Sequence, residues 1–218
     1  MTGTHLLNPI LIGKAKNPRA FKDFYHQDFV NYQNSKKAWM TSNIFDKFLK
    51  NWDNLLKYQR KKICIFVDNC PSHKILSALY CIEVIFLPPN TTSIFQPMDV
   101  GIIKTLKTYF NGFKLLHISD LIEGGMGVEE SFKSLNLRNV AVFTRLAWKK
   151  VASTTVKNCF SHVGWFEKVH DSNEDVLTKE FEEEYKSFIV KNNIIDSITF
   201  DEYREEDFNF KNIVEGSC

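Results

Sequence analysis

The stretch KKICIFVDNCPSHKILSALYCIEVIFLPPN, residues 61–90, decides the fold. Ile63 to Val67 is a continuous apolar run ending in Asp68-Asn69; Pro71 opens a short stretch in which Leu76, Leu79 and Tyr80 recur at helical spacing; Ile82 to Leu87 is a second apolar run. Short, continuous apolar runs of this composition read as strands buried on both faces. Strand, short helix, strand is a crossover unit, so the two strands are expected to lie parallel with their carboxyl ends at one sheet edge. Open α/β sheets bind ligands at that edge, and Asp68 stands on it.

Downstream, Pro88-Pro89-Asn90 breaks regular structure and a polar loop runs to Pro97. From Val100 the pattern turns helical: Ile102, Ile103, Leu106, Phe110 and Phe113 form one stripe, with Lys104, Lys107 and Lys114 largely elsewhere. Asp99 therefore sits at a helix entrance, expected just beyond the same edge as Asp68. Two acids converging there would suit hard divalent cations, which take oxygen ligands and serve phosphodiester chemistry. Each acid also has an ordinary reading, Asp68 as a turn residue and Asp99 as a helix N-cap.

Upstream, Leu6 to Gly13 suits a strand and Asn17-Pro18 a turn. An amphipathic helix follows: Ile44, Phe45, Phe48, Leu49, Trp52, Leu55 and Leu56 share a face, with Thr41 or Ser42 as N-cap. Lys57, Arg60, Lys61 and Lys62 close it, favourably for the helix dipole, and also read as a weak nuclear import signal.

A chain of 218 residues, 44% hydrophobic with 19 Phe, buries a substantial core, and one domain with an appendage is expected. No run approaches the roughly 18 apolar residues of a membrane span, and no basic-then-apolar leader opens the chain, so an intracellular, membrane-free location is expected. Five irregularly spaced cysteines suit a reducing compartment. Cys70 with His73, and Cys159 with His162, form C-x-x-H pairs, but neither has a second pair at zinc-finger spacing.

The net charge of +2 hides an asymmetry. Residues 1–169 hold 23 Lys/Arg and 12 Asp/Glu, net +11, whereas residues 170–218 hold 5 and 14, net −9. A basic body is the electrostatic footprint of a nucleic-acid binder, and equally of a mildly basic solvated surface. In the acidic segment Val176, Leu177, Phe181, Tyr185, Phe188 and Ile189 recur at near-helical spacing among Glu182, Glu183 and Glu184. This predicts an amphipathic helix that docks on its own body, or else an exposed segment for a partner protein or a homodimer. Residues 201–207 read as solvated. The division expected is 1–168 for the domain and 169–218 for the tail.

The motif from Asp68 to His73 (DNCPSH), followed by Leu87 to Lys104 (LPPNTTSIFQPMDVGIIK), resembles the DDE superfamily endonuclease domain of pogo and Tigger transposases and of the Jerky-type and centromere proteins derived from them. Leu11 to Phe21, Lys36 to Leu49 and Ala147 to Trp165 add to the likeness, which covers about residues 6 to 166. The resemblance implies a ribonuclease-H-like mixed sheet with flanking helices, cut-and-paste chemistry on DNA, and a nuclear location. It makes Asp68 and Asp99 the second and third acids of a catalytic triad, ligands to Mg²⁺ or Mn²⁺. Asn69, His73 and Gln96 match as supporting residues, through turn geometry, capping or substrate contact. In relatives the first acid lies on a strand before the segment matching Leu6 to Gly13, and no residue here occupies that place; Asp23 and Asp28 fall later. The resemblance therefore implies missing first strands, weak or absent metal binding and impaired catalysis. Completion by a longer isoform or another subunit, and a fragment without retained function, are the alternatives.

Overall fold

The computed structural model describes residues 6–89 and 95–165, with Phe181, Glu183, Tyr185, Lys186, Ser187 and Val190. It divides into two compact units: an α/β unit of Ile10–Lys16 and Tyr32–Gln96, and a helical unit of Met1–Pro9, Asn17–Asn31 and Pro97–Cys218. Among the described residues, no helix is long and apolar enough to cross a membrane.

The first two strands, β1 (Ile10–Gly13) and β2 (Asn31–Asn34), form a two-stranded sheet. Asn31 N–H donates to Pro9 O and Ser35 N–H to Gly13 O, the same offset at both ends, as in a parallel ladder. An antiparallel ribbon would reverse that offset. The 17 residues between the strands carry the chain back through turns at Arg19–Phe21 and His26–Asp28, so β2 restarts at the end where β1 began. Strand β1 is shorter than the apolar run Leu6 to Gly13. Leu7 O accepts the Trp148 indole N–H at 3.0 Å, the Asn8 amide donates to Gln27 O, and Pro9 has no N–H to give to a ladder.

Helix α1 (Ser42–Tyr58) starts where Thr41 Oγ1 accepts the Ile44 N–H, and it buries Ile44, Phe45, Leu49, Asp53 and Leu56. Strands β3 (Ile63–Val67) and β4 (Ile82–Phe86) pair in parallel, Ile63 beside Ile82 through Val67 beside Phe86. The α1 face packs on them: Phe45, Leu49, Leu56 and Ile82 are the buried centre, ringed by Trp52, Ile65, Leu79 and Val84.

The connection between β3 and β4 departs from the expected crossover helix. After a single 3-10 turn, Pro71–His73, the chain runs without a helix to Ile82. Its backbone donors are taken instead by two acids of α1. Asp46 accepts the N–H groups of Leu76 and Ser77 (2.7 and 2.8 Å) and the Ser77 hydroxyl (2.7 Å). Asp53, 3% exposed, accepts those of Tyr80, Cys81 and Ile82 on one oxygen at 3.0, 2.7 and 3.1 Å. Backbone donors withdrawn from water need acceptors, and here carboxylate bonds take the place of helical ones along this strap.

Both carboxyls lie below the ordinary aspartate range. For Asp46 the Ser77 hydroxyl acts most, opposed by desolvation and aided by the two N–H groups and Lys50. For Asp53 desolvation is the largest influence and pushes upward, but the three N–H groups and Lys57 together outweigh it. A folded pKa below the unfolded one gives stability that is complete above the unfolded value, about 4, and is lost as pH falls through the folded value. The melting temperature is therefore expected to fall as pH drops from about 5 to about 3. Asp46→Asn, which keeps an amide oxygen for the two N–H groups, should flatten that decline; thermal melts across this range check it.

In the helical unit a π-turn at Met98–Ile102 leads into α2 (Ile103–Glu123), followed by α3 (Val128–Lys133), α4 (Leu137–Lys150) and α5 (Ser153–His162). Helix α4 opens on a capping box: Asn136 Oδ1 accepts the Arg138 N–H while Asn139 Oδ1 accepts the Asn136 N–H. Ile102, Val151, Val156 and Cys159 form one buried cluster, and Phe110 and Phe143 meet edge to face at 6.0 Å. In α2 the whole run Thr108–Gly112 is buried, so more than one face is covered. The expected tail helix lies mostly outside the described residues. Phe181 and Tyr185 are helical and buried, with the Phe181 ring edge to face with Tyr109 and Phe113. Residues 201–207 lie outside the described residues.

Candidate functional site

Strand β3 ends at Val67 and delivers Asp68 one residue later. Leu87 N–H donates to Val67 O at 2.8 Å and the Asn69 amide donates to Leu87 O at 2.7 Å, which clips the carboxyl ends of β3 and β4 together. Asn69 is thereby a structural clamp at this edge.

Asp68 Oδ1 accepts the Cys70 N–H at 3.2 Å, an Asx turn, and lies 2.6 Å from His73 Nδ1. The side chains of His73 and Asp68 are 23% and 37% exposed, so the pair is reachable by solute. His73 is held from behind by the Phe45 ring at 4.7 Å, and its turn is tied to α1 by the Ser42 hydroxyl, which donates to Pro71 O at 3.1 Å. Pro71 opens that turn with the φ it already prefers. Among the described residues no bond falls on Asp68 Oδ2, which leaves one carboxylate oxygen for a cation or a proton donor.

Asp99 is exposed in the first turn of the π-segment, where a carboxylate also complements a helix N-terminus. Gln96, half-buried, precedes Pro97. Asp68, Asn69 and His73 thus gather at one strand end, whereas Asp99 belongs to the helical unit. Among the described residues no group of three or more His, Cys, Asp or Glu is placed to hold a metal ion. A two-ion site needs more oxygen donors than one free oxygen on Asp68 and the carboxylate of Asp99, so the described residues do not by themselves fit a Mg²⁺ or Mn²⁺ pair.

The residues that sequence reasoning passed over are Asp46 and Asp53. The signal was present: the two acids stand seven residues apart, on the same face of α1 as Phe45, Leu49 and Leu56. A carboxylate inside an apolar stripe must find donors.

An α/β domain with an acid at the carboxyl end of a parallel strand and another at a helix entrance defines the class of carboxylate-bearing α/β domains. The chain belongs, more narrowly, to the DDE superfamily endonucleases, whose family model matches residues 1–160. It is 32% identical over 167 residues to Tigger transposable element-derived protein 4 of Mus musculus, covering 76% of this chain and 31% of that protein. It is 28% identical to Tigger transposable element-derived protein 7 of Homo sapiens (74% and 33%) and 26% identical to CENP-B homolog protein 2 of Schizosaccharomyces pombe (76% and 34%). The chain spans about a third of the length of these relatives. No solved structure matches it.

Proposed function

We propose that this chain is a nucleic-acid-binding, transposase-derived DDE endonuclease domain, ribonuclease-H-like in its sheet, in which catalysis is impaired when the chain acts alone. The observation that carries this is the state of Asp68: one oxygen is already engaged by His73 and Cys70, and the described residues supply no group of three donors around it. Binding of Mg²⁺ or Mn²⁺ by Asp68 and Asp99 is then weak or absent. Without a further carboxylate, phosphodiester cleavage is slow. The net charge of +11 over residues 1–169 supports DNA as the partner, because phosphate neutralisation supplies most non-specific affinity. The nucleus is the compartment this reading implies. The acidic residues 170–218 are a surface for a partner protein or a second copy.

The test is nicking of supercoiled plasmid in Mg²⁺ or Mn²⁺ by the chain and by Asp68→Ala and Asp99→Ala, beside DNA retention at rising salt. Retention that falls on the order of ten- to a hundredfold between 50 and 200 mM salt, without nicking, is expected. Nicking abolished by either substitution would overturn the impairment. It would favour a second reading, supported by the third of each relative's length that is matched: an active endonuclease completed by a further segment or subunit that brings the remaining carboxylate.

A further inference from the structure

The turn region Arg19–Phe29 is built more rigidly, and exposes more aromatic surface, than a link between two strands requires. Its backbone closes on itself through Phe21 N–H to Pro18 O, Lys22 to Arg19, Phe24 to Phe21, His26 to Phe24, Asp28 to Tyr25 and Phe29 to His26. Arg138, from α4, fastens it from outside: its guanidinium donates to Ala20 O at 3.3 Å and Lys22 O at 3.0 Å and lies over the Phe24 ring at 5.0 Å. Phe21 stacks on His26 at 4.5 Å with planes 9° apart, and Phe24 stacks on Phe29 at 5.2 Å. Along this frame runs an open groove of about 560 Å³ lined by Phe21, Asp23, Phe24, Tyr25, His26 and Gln27. Tyr25 stands in it 81% exposed, and among the described residues its side chain makes no hydrogen bond or ring contact.

A large ring held in water on a braced loop leaves apolar area exposed for a flat ligand to cover. The other lining groups narrow the ligand. Asp23, at φ 56°, and Gln27 offer oxygen acceptors, and Gln27 a donor, for the polar edge of a planar heterocycle. Lys22, next to the lining residue Asp23, and Arg138, whose guanidinium reaches the Ala20 and Lys22 carbonyls, bring positive charge to this loop, and no carboxylate among the described residues neutralises Arg138. Phosphate beside that charge and a ring in the groove are the two halves of a nucleotide. An aromatic cage for a methylated ammonium fits less well. Its rings must turn their faces inward to the cation, whereas here Phe21 and His26, and Phe24 and Phe29, spend faces on one another.

We infer that Tyr25 and the groove beside it bind an unpaired base of a DNA strand, stacked on the tyrosine ring, with the neighbouring phosphate at Lys22. This rests on the nucleic-acid reading above and adds a substrate feature to it: the surface prefers a frayed or overhanging end to a blunt duplex.

The test uses the full 218-residue chain with duplexes carrying 2-aminopurine either in a single-stranded 3′ overhang or within a blunt end. Quenching of the overhang probe on binding, and tighter binding of the overhang than of the blunt duplex, are expected. Tyr25→Ala should lose about tenfold in overhang affinity while holding its blunt-duplex affinity, and Tyr25→Phe should keep both, because stacking needs the ring and not the hydroxyl. Exposure of Tyr25 means the Ala variant should melt with the parent. Equal binding of the two duplexes, or an Ala variant unchanged on the overhang, would overturn the inference and leave the nucleic-acid reading standing. Failure to bind any DNA would remove both. Capture of a trimethyl-lysine peptide in place of DNA would assign the groove to the cage chemistry instead.

Discussion

Replacement of Asp53 by Ala is expected to lower the melting temperature by on the order of 10 °C, one of the two largest effects foreseen for a single substitution in this chain. The carboxylate is 3% exposed and one of its oxygens accepts three consecutive backbone N–H groups, those of Tyr80, Cys81 and Ile82. These donors lead into β4, so the substitution strands them at the start of the strand that pairs with β3. Buried donors without acceptors cost more than the hydrogen bonds themselves contribute, and Ala also leaves a void beside Leu49 and Leu56. Asp53→Asn keeps an oxygen at the same place and should lose much less at neutral pH. Thermal melts of both variants, with amide exchange read at Tyr80, Cys81 and Ile82, check this. An Ala variant that melts with the parent would show that the strap is held by packing alone.

The second large effect is expected at Gly112. A Cβ built there would lie 2.5 to 2.7 Å from three ring atoms of Phe181, near the root of a bulky ring and not the tip of a flexible chain. Gly112→Val therefore pushes Phe181 off α2, where it meets Tyr109 and Phe113. Burying one phenylalanine contributes about 1.5–3 kcal/mol, so the ratio of docked to undocked states of the helix around Phe181 and Tyr185 should fall on the order of tenfold or more. Protease cleavage near Phe181 should rise by the same factor. The rest of the helical unit should melt almost unchanged, since a mid-helix glycine is itself unfavourable and its replacement gives back some helix stability. Unaltered cleavage would mean that the ring contact does not hold the segment.

Where hydrophobic pattern decides an element, the sequence was readable. Strand Ile63–Val67 and the α1 boundary with its Thr41 cap stand where periodicity and capping chemistry put them, and β4 ends one residue before the apolar run does. Parallel pairing followed from the crossover. The crossover's own conformation did not, because Leu76, Leu79 and Tyr80 fit a helix locally while the groups that hold the segment extended, Asp46 and Asp53, lie about 30 residues earlier. Their place on the apolar face of α1 marks these acids as needing donors, but not which donors. At the candidate site, the motif that brings Asp68, Asn69 and His73 together was legible as a string. The Asn69 clamp on Leu87 and the Phe45 backing of His73 were not, since both depend on partners distant in sequence. In β1 the apolar run overstated the strand, because pattern cannot tell a ladder partner from the Trp148 indole.

Two carboxylates on α1 holding one extended strap make that helix a ruler. Asp46 and Asp53 are separated by two turns, and each must meet its own set of amides. A single inserted or deleted residue between them would swing one acid by about 100° around the axis, off its donors. Drift within this lineage should therefore exchange side chains freely on the outer surface of α1 while never changing the count of residues from Asp46 to Asp53, and proline should be barred from positions 76, 77 and 80–82, where it would have no proton to give.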